Sequence, residues 1–132
     1  MSKILLVEDD GLMSRMYGRL FSFSGYDVEI AVDGEDGFLK AKEFMPDLIL
    51  LDVMMPKMNG LELIQKLKND PSTCNIIVVL LTNLGLQEKL DDATRIGAAA
   101  IITKSNHQPE EVVEKVADLL SKKSLDQVQN DS

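Results

Sequence analysis

The run Leu48-Ile49-Leu50-Leu51, which ends directly at Asp52, is the stretch that decides the fold of this chain. Its apolar residues do not alternate with polar ones, so a strand formed here would be buried on both of its faces. Strands of this kind belong to parallel sheets that carry helices on both sides, because a sheet with one face in water shows alternation. The run therefore predicts a central strand of a parallel sheet.

Four further apolar runs lie before and after this strand, and amphipathic stretches separate them. The predicted strands are Ile4–Val7, Tyr26–Val32, residues 48–51, Ile76–Leu81 and Ala99–Ile102. The predicted helices cover residues 12–24, 34–45, 61–70, 86–96 and 109–122. Five strands that alternate with five helices predict an α/β domain with a doubly wound, five-stranded parallel sheet and helices on both faces.

The composition is that of a folded, acidic, single-domain protein. The 132 residues fit one domain, which we place at residues 1–123, followed by a polar and flexible tail at residues 124–132. The net charge of -8 disfavours binding to nucleic acid or to anionic membrane surfaces. Cys74, the one cysteine, excludes an internal disulfide, and no apolar stretch is long enough to cross a membrane. We therefore expect a cytoplasmic protein.

Polar residues with useful chemistry follow the ends of the predicted strands. These residues are Glu8 and Asp9 after the first strand, Asp52 after the third, Thr82 after the fourth and Lys104 after the fifth. In parallel α/β proteins this edge of the sheet binds ligands. Carboxylates crowded there need a cation, and ligands that are all oxygen favour Mg²⁺ over Zn²⁺. A carboxylate can also attack a phosphoryl group while a cation, a lysine and a hydroxyl neutralise its charge.

Each of these residues also has a purely structural interpretation. Asp9 or Asp10 could cap the first helix, and we favour this role for Asp10. Thr82 could cap the fourth helix, and Lys104 could be a solvated surface charge. The joint occurrence of these residues at the ends of separate strands favours the chemical interpretation.

Two motifs in the chain resemble those of response-regulator receiver domains. Residues 3–10, Lys-Ile-Leu-Leu-Val-Glu-Asp-Asp, are similar to the opening of such domains. Residues 47–56, Asp-Leu-Ile-Leu-Leu-Asp-Val-Met-Met-Pro, followed by Asn59-Gly60-Leu61, are similar to the central signature of the family. The resemblance extends from about Lys3 to Leu120. It implies a stand-alone receiver domain with a flavodoxin-like fold and the strand order 2-1-3-4-5.

The resemblance also implies a role in two-component signal transduction, with Asp52 as the phosphoacceptor. Thr82 would hydrogen-bond the phosphoryl group, and Lys104 would pair with its charge. The ligands of Mg²⁺ would be Glu8 (largely through a water), Asp9, Asp52 and the backbone carbonyl of Met54. A histidine kinase or a phosphotransfer protein would supply the phosphoryl group. The domain would promote its own phosphorylation and dephosphorylation, without being an enzyme for an external substrate.

In this family, the fourth helix, the fifth strand and the fifth helix form the surface that contacts partners. Only about ten polar residues follow the last predicted helix, so output here would pass through a separate downstream protein, or the sequence is one part of a longer chain. The resemblance therefore implies such a partner surface here, on a monomer or on a dimer that forms after phosphorylation. An interaction module that works without phosphorylation is an alternative, which the retained acidic and basic site residues disfavour. A hydrolase of the haloacid dehalogenase type is a weaker alternative, because Met54 stands where those enzymes carry a second aspartate.

Three positions depart from the family pattern. Ile101 replaces an aromatic residue that normally swings on activation, a movement that isoleucine cannot repeat, and we interpret Ile101 as strand core. Ser105 replaces the proline that normally follows the lysine, and a cis peptide without proline costs about 2.5–4 kcal/mol. Asn83 replaces a small residue, which predicts a narrower entrance to Asp52 and slower loss of the phosphoryl group.

Overall fold

The fold is a five-stranded parallel sheet in the order β2-β1-β3-β4-β5. The computed structural model describes residues 2–52, 60–82, 95, 97–103 and 108–131, and it describes the backbone alone at Asp52, Gly60, Thr82, Thr103 and residues 123–131. The strands are β1 (Lys3–Val7), β2 (Asp27–Ala31), β3 (Leu48–Asp52), β4 (Ile77–Thr82) and β5 (Ala100–Thr103). Both the fold class and the strand order expected from the sequence are confirmed.

Helices cover both faces of the sheet, which is why the central strands can be apolar throughout. The described helices are α1 (Gly11–Phe23), α2 (Gly34–Phe44), α3 (Gly60–Asn69) and α4 (Pro109–Asp131). On one face, Leu6 and Leu50 pack in a cluster with side chains of α1 and α4, including Tyr17 and Val116. On the other face a second cluster joins the sheet to α2 and α3. Each fully buried Leu or Ile contributes roughly 1.5–3 kcal/mol to folding.

Local sequence signals explain where the first two helices begin and end. The Asp10 carboxylate accepts hydrogen bonds from the N–H groups of Leu12 and Met13 at the start of α1. The Asp33 carboxylate accepts one from the Asp36 N–H at the start of α2. Such caps satisfy N–H groups that have no partner within the helix. Met45 ends α2 in the left-handed conformation, at φ 53°, and Pro46 then prevents any further helical turn.

The last helix is longer than the sequence predicted. The sequence predicts an end at Lys122, but α4 continues to Asp131. No glycine or proline follows Pro109, so the sequence contains no residue that would stop the helix there. The backbone of residues 124–131 is thus helical, while the division into a domain and a flexible tail stays a prediction. The predicted helix over residues 86–96 lies outside the described residues, apart from Arg95, which is helical.

The outer side of β2, a strand at the border of the sheet, is partly covered by Lys40. The Glu8 N–H donates to the Ala31 carbonyl, which therefore points from β2 towards β1. The Ile30 carbonyl precedes it and points to the open side of this edge strand, because carbonyl directions alternate along a strand. The Lys40 ammonium donates to that Ile30 carbonyl and lies 3.4 Å from the Asp36 carboxylate. Within the part of the chain described, no helix is long and apolar enough to cross a membrane.

Candidate functional site

The register of the strands brings the predicted site residues to one edge of the sheet. Val7 pairs with Leu51, so the backbone of Glu8 continues alongside Asp52. Asp52 pairs with Leu81, which places Thr82 one step further along the neighbouring strand. Three of the predicted positions thus meet at the carboxyl ends of β1, β3 and β4, as the sequence indicated.

Glu8 is a buried carboxylate, with only 3% of its surface exposed. Ile4 and Leu6 face the α1 side of the sheet, and strand alternation continues this pattern to Glu8. Its carboxylate accepts a hydrogen bond from the Asp10 N–H at 3.2 Å. A buried charge needs polar partners because water no longer solvates it. The fold therefore holds this carboxylate in place at the end of β1.

Asp9 and Asp10 are adjacent, but their surroundings differ. Asp10 accepts hydrogen bonds from the Leu12 N–H at 2.9 Å and the Met13 N–H at 3.3 Å through its side chain. Its carbonyl accepts another from the Ser14 N–H. The interpretation of Asp10 as a helix cap is therefore confirmed. Asp9 is exposed to solvent, so its carboxylate is accessible to a ligand.

Tyr17 is a polar residue near this site that sequence reasoning missed. It is 2% exposed and lies on the inner face of α1. Burial, and then the charge of Glu8, raise the pKa of the Tyr17 hydroxyl above its ordinary value. The sequence offers only its place on the apolar side of the predicted helix over residues 12–24, which is typical of a core residue. The electrostatic influence of Glu8 could not be inferred from spacing alone.

Several predicted residues cannot be placed. Met54, Asn83, Lys104 and Ser105 lie outside the described residues, and the side chains of Asp52 and Thr82 are not described. Ile101 is half-buried and packs against the cluster on the α2 and α3 side, as expected for a strand-core residue. The roles assigned to the residues outside the description stay predictions.

The donor atoms at this edge suit a hard divalent cation. Glu8 and Asp9 offer carboxylate oxygens, and Asp52 lies beside them in the register. Cys74 lies in the turn before β4, at the opposite edge of the sheet. An oxygen-only set of this kind fits Mg²⁺ or Mn²⁺ better than it fits Zn²⁺. Among the side chains described, no three Asp, Glu, His or Cys residues are grouped closely enough to hold a metal, and Asp52 is not one of those side chains.

Two relatives with curated descriptions share much of this sequence. The DNA-binding dual master transcriptional regulator RpaA of Synechocystis is 39% identical over 121 residues, which cover 91% of this chain and 49% of RpaA. The chemotaxis protein CheY of Treponema pallidum is 34% identical over 121 residues, which cover 89% of this chain and 82% of that protein. The chain thus spans about half of the first relative and most of the second.

Solved structures and a family model agree with these relatives. A receiver domain protein from Methanospirillum hungatei superposes with a TM-score of 0.88 at 27% identity, covering 96% of this chain and 98% of that one. The Mn²⁺-bound form of the response regulator Rcp1 superposes with a TM-score of 0.77 at 27% identity, covering 88% and 91%. The model of the response regulator receiver domain matches residues 4–117. This chain belongs to the response regulator receiver domain family.

Proposed function

We propose that Asp52 accepts a phosphoryl group from a histidine kinase or a phosphotransfer protein, and that this event controls binding to a separate downstream protein. The observation that carries the proposal is the strand register, which aligns the end of β3 with the acidic end of β1. Receiver domains generally interact with histidine kinases and downstream effectors, and CheY-like response regulators are not usually classed as enzymes. The proposal therefore describes a signalling module that turns over no external substrate.

The proposed chemistry is nucleophilic attack by a carboxylate. An Asp52 oxygen forms a bond to phosphorus, and the bond from phosphorus to the donor's leaving atom breaks, giving an aspartyl phosphate. Thr82 would donate a hydrogen bond to a phosphoryl oxygen, and the Lys104 ammonium would pair with the phosphoryl charge. Positioning and charge neutralisation supply most of the catalysis in such transfers.

A divalent cation would be part of this site. Receiver domains generally bind Mg²⁺, and Rcp1 has been solved with Mn²⁺. The residues that would hold it are Glu8, Asp9, Asp52 and, through its backbone carbonyl, Met54. When bound, Mg²⁺ supplies positive charge that offsets the repulsion between carboxylates and phosphoryl oxygens. Glu8 is already buried at the end of β1, and Asp9 is open to solvent, which supports this arrangement.

The partner surface that we propose comprises the predicted helix over residues 86–96, β5 and α4. In the described part of this surface, β5 and α4 form a groove of about 220 Å³. Ile101 and Leu119 line it with apolar surface, and Lys115, Asp118 and Lys122 surround it with charge. Apolar surface with a charged rim is the usual composition of a site for transient protein binding.

The decisive experiment is phosphorylation by a small donor. We expect intact-mass measurements, after incubation with acetyl phosphate and Mg²⁺, to show one added phosphoryl group. The Asp52→Asn variant should show none, whereas Asp118→Asn, an exposed aspartate on α4, should behave like the wild type. If no adduct forms and beryllofluoride does not bind either, the alternative gains support, namely a receiver fold that binds partners without phosphorylation.

A further inference from the structure

A groove of about 420 Å³ lies between α1 and β2, at one border of the sheet. Residues of α1 between Arg15 and Phe23 line it, together with Val28 and Ile30 of β2. Val28 and Ile30 are half-buried, whereas Phe23 at the end of α1 is 95% exposed. A single exposed apolar residue is ordinary in a folded protein, but here three apolar side chains share one groove. The groove therefore offers apolar surface to another molecule.

The charges of this groove are positive, although the chain as a whole is acidic. Arg15 and Arg19 lie one helical turn apart on the exposed side of α1, which contains no acidic residue. In the described part of the chain, neither arginine forms an ion pair. The acids of β2, Asp27 and Glu29, alternate with the residues of the groove and so face the other side of the sheet. A chain with a net charge of -8 thus presents a local positive surface here.

The structure also limits what could occupy this groove. A strand added to β2 is disfavoured, because Lys40 already donates to the outward Ile30 carbonyl. A helix forms its backbone hydrogen bonds within itself, so it needs no such acceptor and can lay an apolar face in a groove. A second copy of this chain is disfavoured as well, because a symmetric contact would bring the same arginines together.

We propose that the groove between α1 and β2 binds an acidic amphipathic helix of a separate protein. The apolar face of that helix packs against Phe23, Val28 and Ile30, and its carboxylates pair with Arg15 and Arg19. The strand β2 and the strand β5 lie at opposite borders of the sheet. This groove is therefore distinct from the partner surface that includes β5 and α4, and its binding does not depend on phosphorylation.

The first test compares two synthetic amphipathic helices of about five turns, which are identical except that the polar face carries glutamate in one and lysine in the other. The net charge of -8 alone would favour the lysine peptide. We expect calorimetry to give the opposite order, with the glutamate peptide bound about tenfold more tightly. Tighter binding of the lysine peptide, or no binding of the glutamate peptide, would contradict the inference.

Two variants with exposed apolar side chains locate the binding. Phe23→Ala removes the exposed ring of the groove, whereas Leu39→Ala removes a side chain that is 60% exposed on α2. Both variants should unfold in urea like the wild type, because neither side chain is buried. Phe23→Ala should weaken binding of the glutamate peptide about tenfold, and Leu39→Ala should leave it unchanged. Equal affinities would show that the peptide binds elsewhere and that the inference is wrong.

Charge reversal tests the role of the two arginines. The combined change Arg15→Glu and Arg19→Glu should reverse the preference, so that the lysine peptide binds more tightly than the glutamate peptide. An unchanged preference would mean that the arginines do not select the partner.

A last test identifies the partner in cells that produce this protein. A photo-crosslinking amino acid in place of Phe23 should join the protein to a segment whose sequence predicts an acidic amphipathic helix. The same amino acid in place of Leu39 is the control. The proposal is overturned if the yield is no higher than in the control, if the joined molecule is a basic segment or a lipid, or if the crosslink survives Arg15→Glu with Arg19→Glu.

Discussion

The two edges of the sheet treat acidic residues in different ways. At the amino edge, two acids have local structural partners. The Asp47 carboxylate accepts a hydrogen bond from the Lys3 N–H at 2.8 Å. Asp70 accepts two hydrogen bonds from Ser72 and lies 3.2 Å from the Lys42 ammonium. These carboxylates connect strands, turns and helices, and their charges are used within the fold.

At the carboxyl edge the register instead places acidic positions side by side. Glu8 continues alongside Asp52, and exposed Asp9 follows immediately. Crowding of like charges is unfavourable unless a cation joins them. The comparison indicates that Asp47 and Asp70 stabilise the fold. At the carboxyl edge Asp10 and Asp33 cap helices, and the acids that we propose for chemistry are Glu8, Asp9 and Asp52. Four changes would test this difference, and the largest effect is expected first.

The combined change Glu8→Gln and Asp9→Asn should weaken Mg²⁺ binding by more than about 100-fold, because it removes two of the carboxylates assigned to the cation. Isothermal titration calorimetry measures this affinity directly. Asp47→Asn at the amino edge is the matched control and should bind Mg²⁺ like the wild type. Equal affinity in all three proteins would contradict the contrast between the edges.

Thr73→Val should destabilise the fold by about 1–3 kcal/mol and leave Mg²⁺ affinity unchanged. Thr73 is fully buried in the turn before β4, and its hydroxyl donates to the Leu67 carbonyl at 2.7 Å. Valine has nearly the same shape but leaves that carbonyl without this donor. Urea unfolding gives the free energy of unfolding. A loss of Mg²⁺ affinity without a loss of stability would contradict our assignment of Thr73 to the fold and not to the cation site.

Asp10→Ala should cost about 1 kcal/mol of stability, because it removes the cap of α1. Its effect on Mg²⁺ affinity should be far smaller than that of Asp9→Ala, although the two residues are adjacent. Asp10→Ser, which can also cap a helix, should restore most of the stability. If Asp10→Ala weakens Mg²⁺ binding as much as Asp9→Ala does, then Asp10 also belongs to the cation site.

The smallest expected effect concerns pH at the amino edge. Hydrogen bonds from the Ser72 hydroxyl and N–H, followed by Lys42, lower the pKa of Asp70 from 3.8 to about 2. A lowered pKa means that the stabilisation is present above pH 3.8 and is lost as the pH falls through about 2. Ser72→Ala should raise the pKa of Asp70 towards its ordinary value, as measured by ¹³C NMR of the carboxyl group. An unchanged pKa would show that the hydroxyl contributes nothing.

Most of the fold could be predicted because its signals are local. The uninterrupted apolar run at 48–51 indicated a buried strand, and Pro46 correctly ended the helix before it. The predicted end of α4 at Lys122 is wrong, because polar residues do not by themselves end a helix. Helices commonly end at glycine, at proline or at a capping residue. The residues after Lys122 include neither glycine nor proline.

The candidate site could be predicted in part, for a similar reason. Residues that directly follow strands are brought together by topology, so the sequence was enough to group Glu8 with Asp52. Asp10 could be assigned as a cap because capping depends only on its neighbours in the chain. Tyr17 could not be linked to Glu8, because their relation depends on how α1 packs against the sheet. Packing geometry is a tertiary property that periodicity does not encode.

The contact between Lys40 and β2 has a consequence for the protein in concentrated solution. An incoming chain that added a strand beside β2 would need the outward carbonyls of that strand as acceptors. Lys40 already occupies the Ile30 carbonyl, and its charge would have to be displaced and desolvated before pairing could begin. β2 is also only 5 residues long, so it offers few other backbone hydrogen bonds to a strand from another molecule. The Lys40 side chain of α2 therefore disfavours aggregation through pairing of another strand with β2.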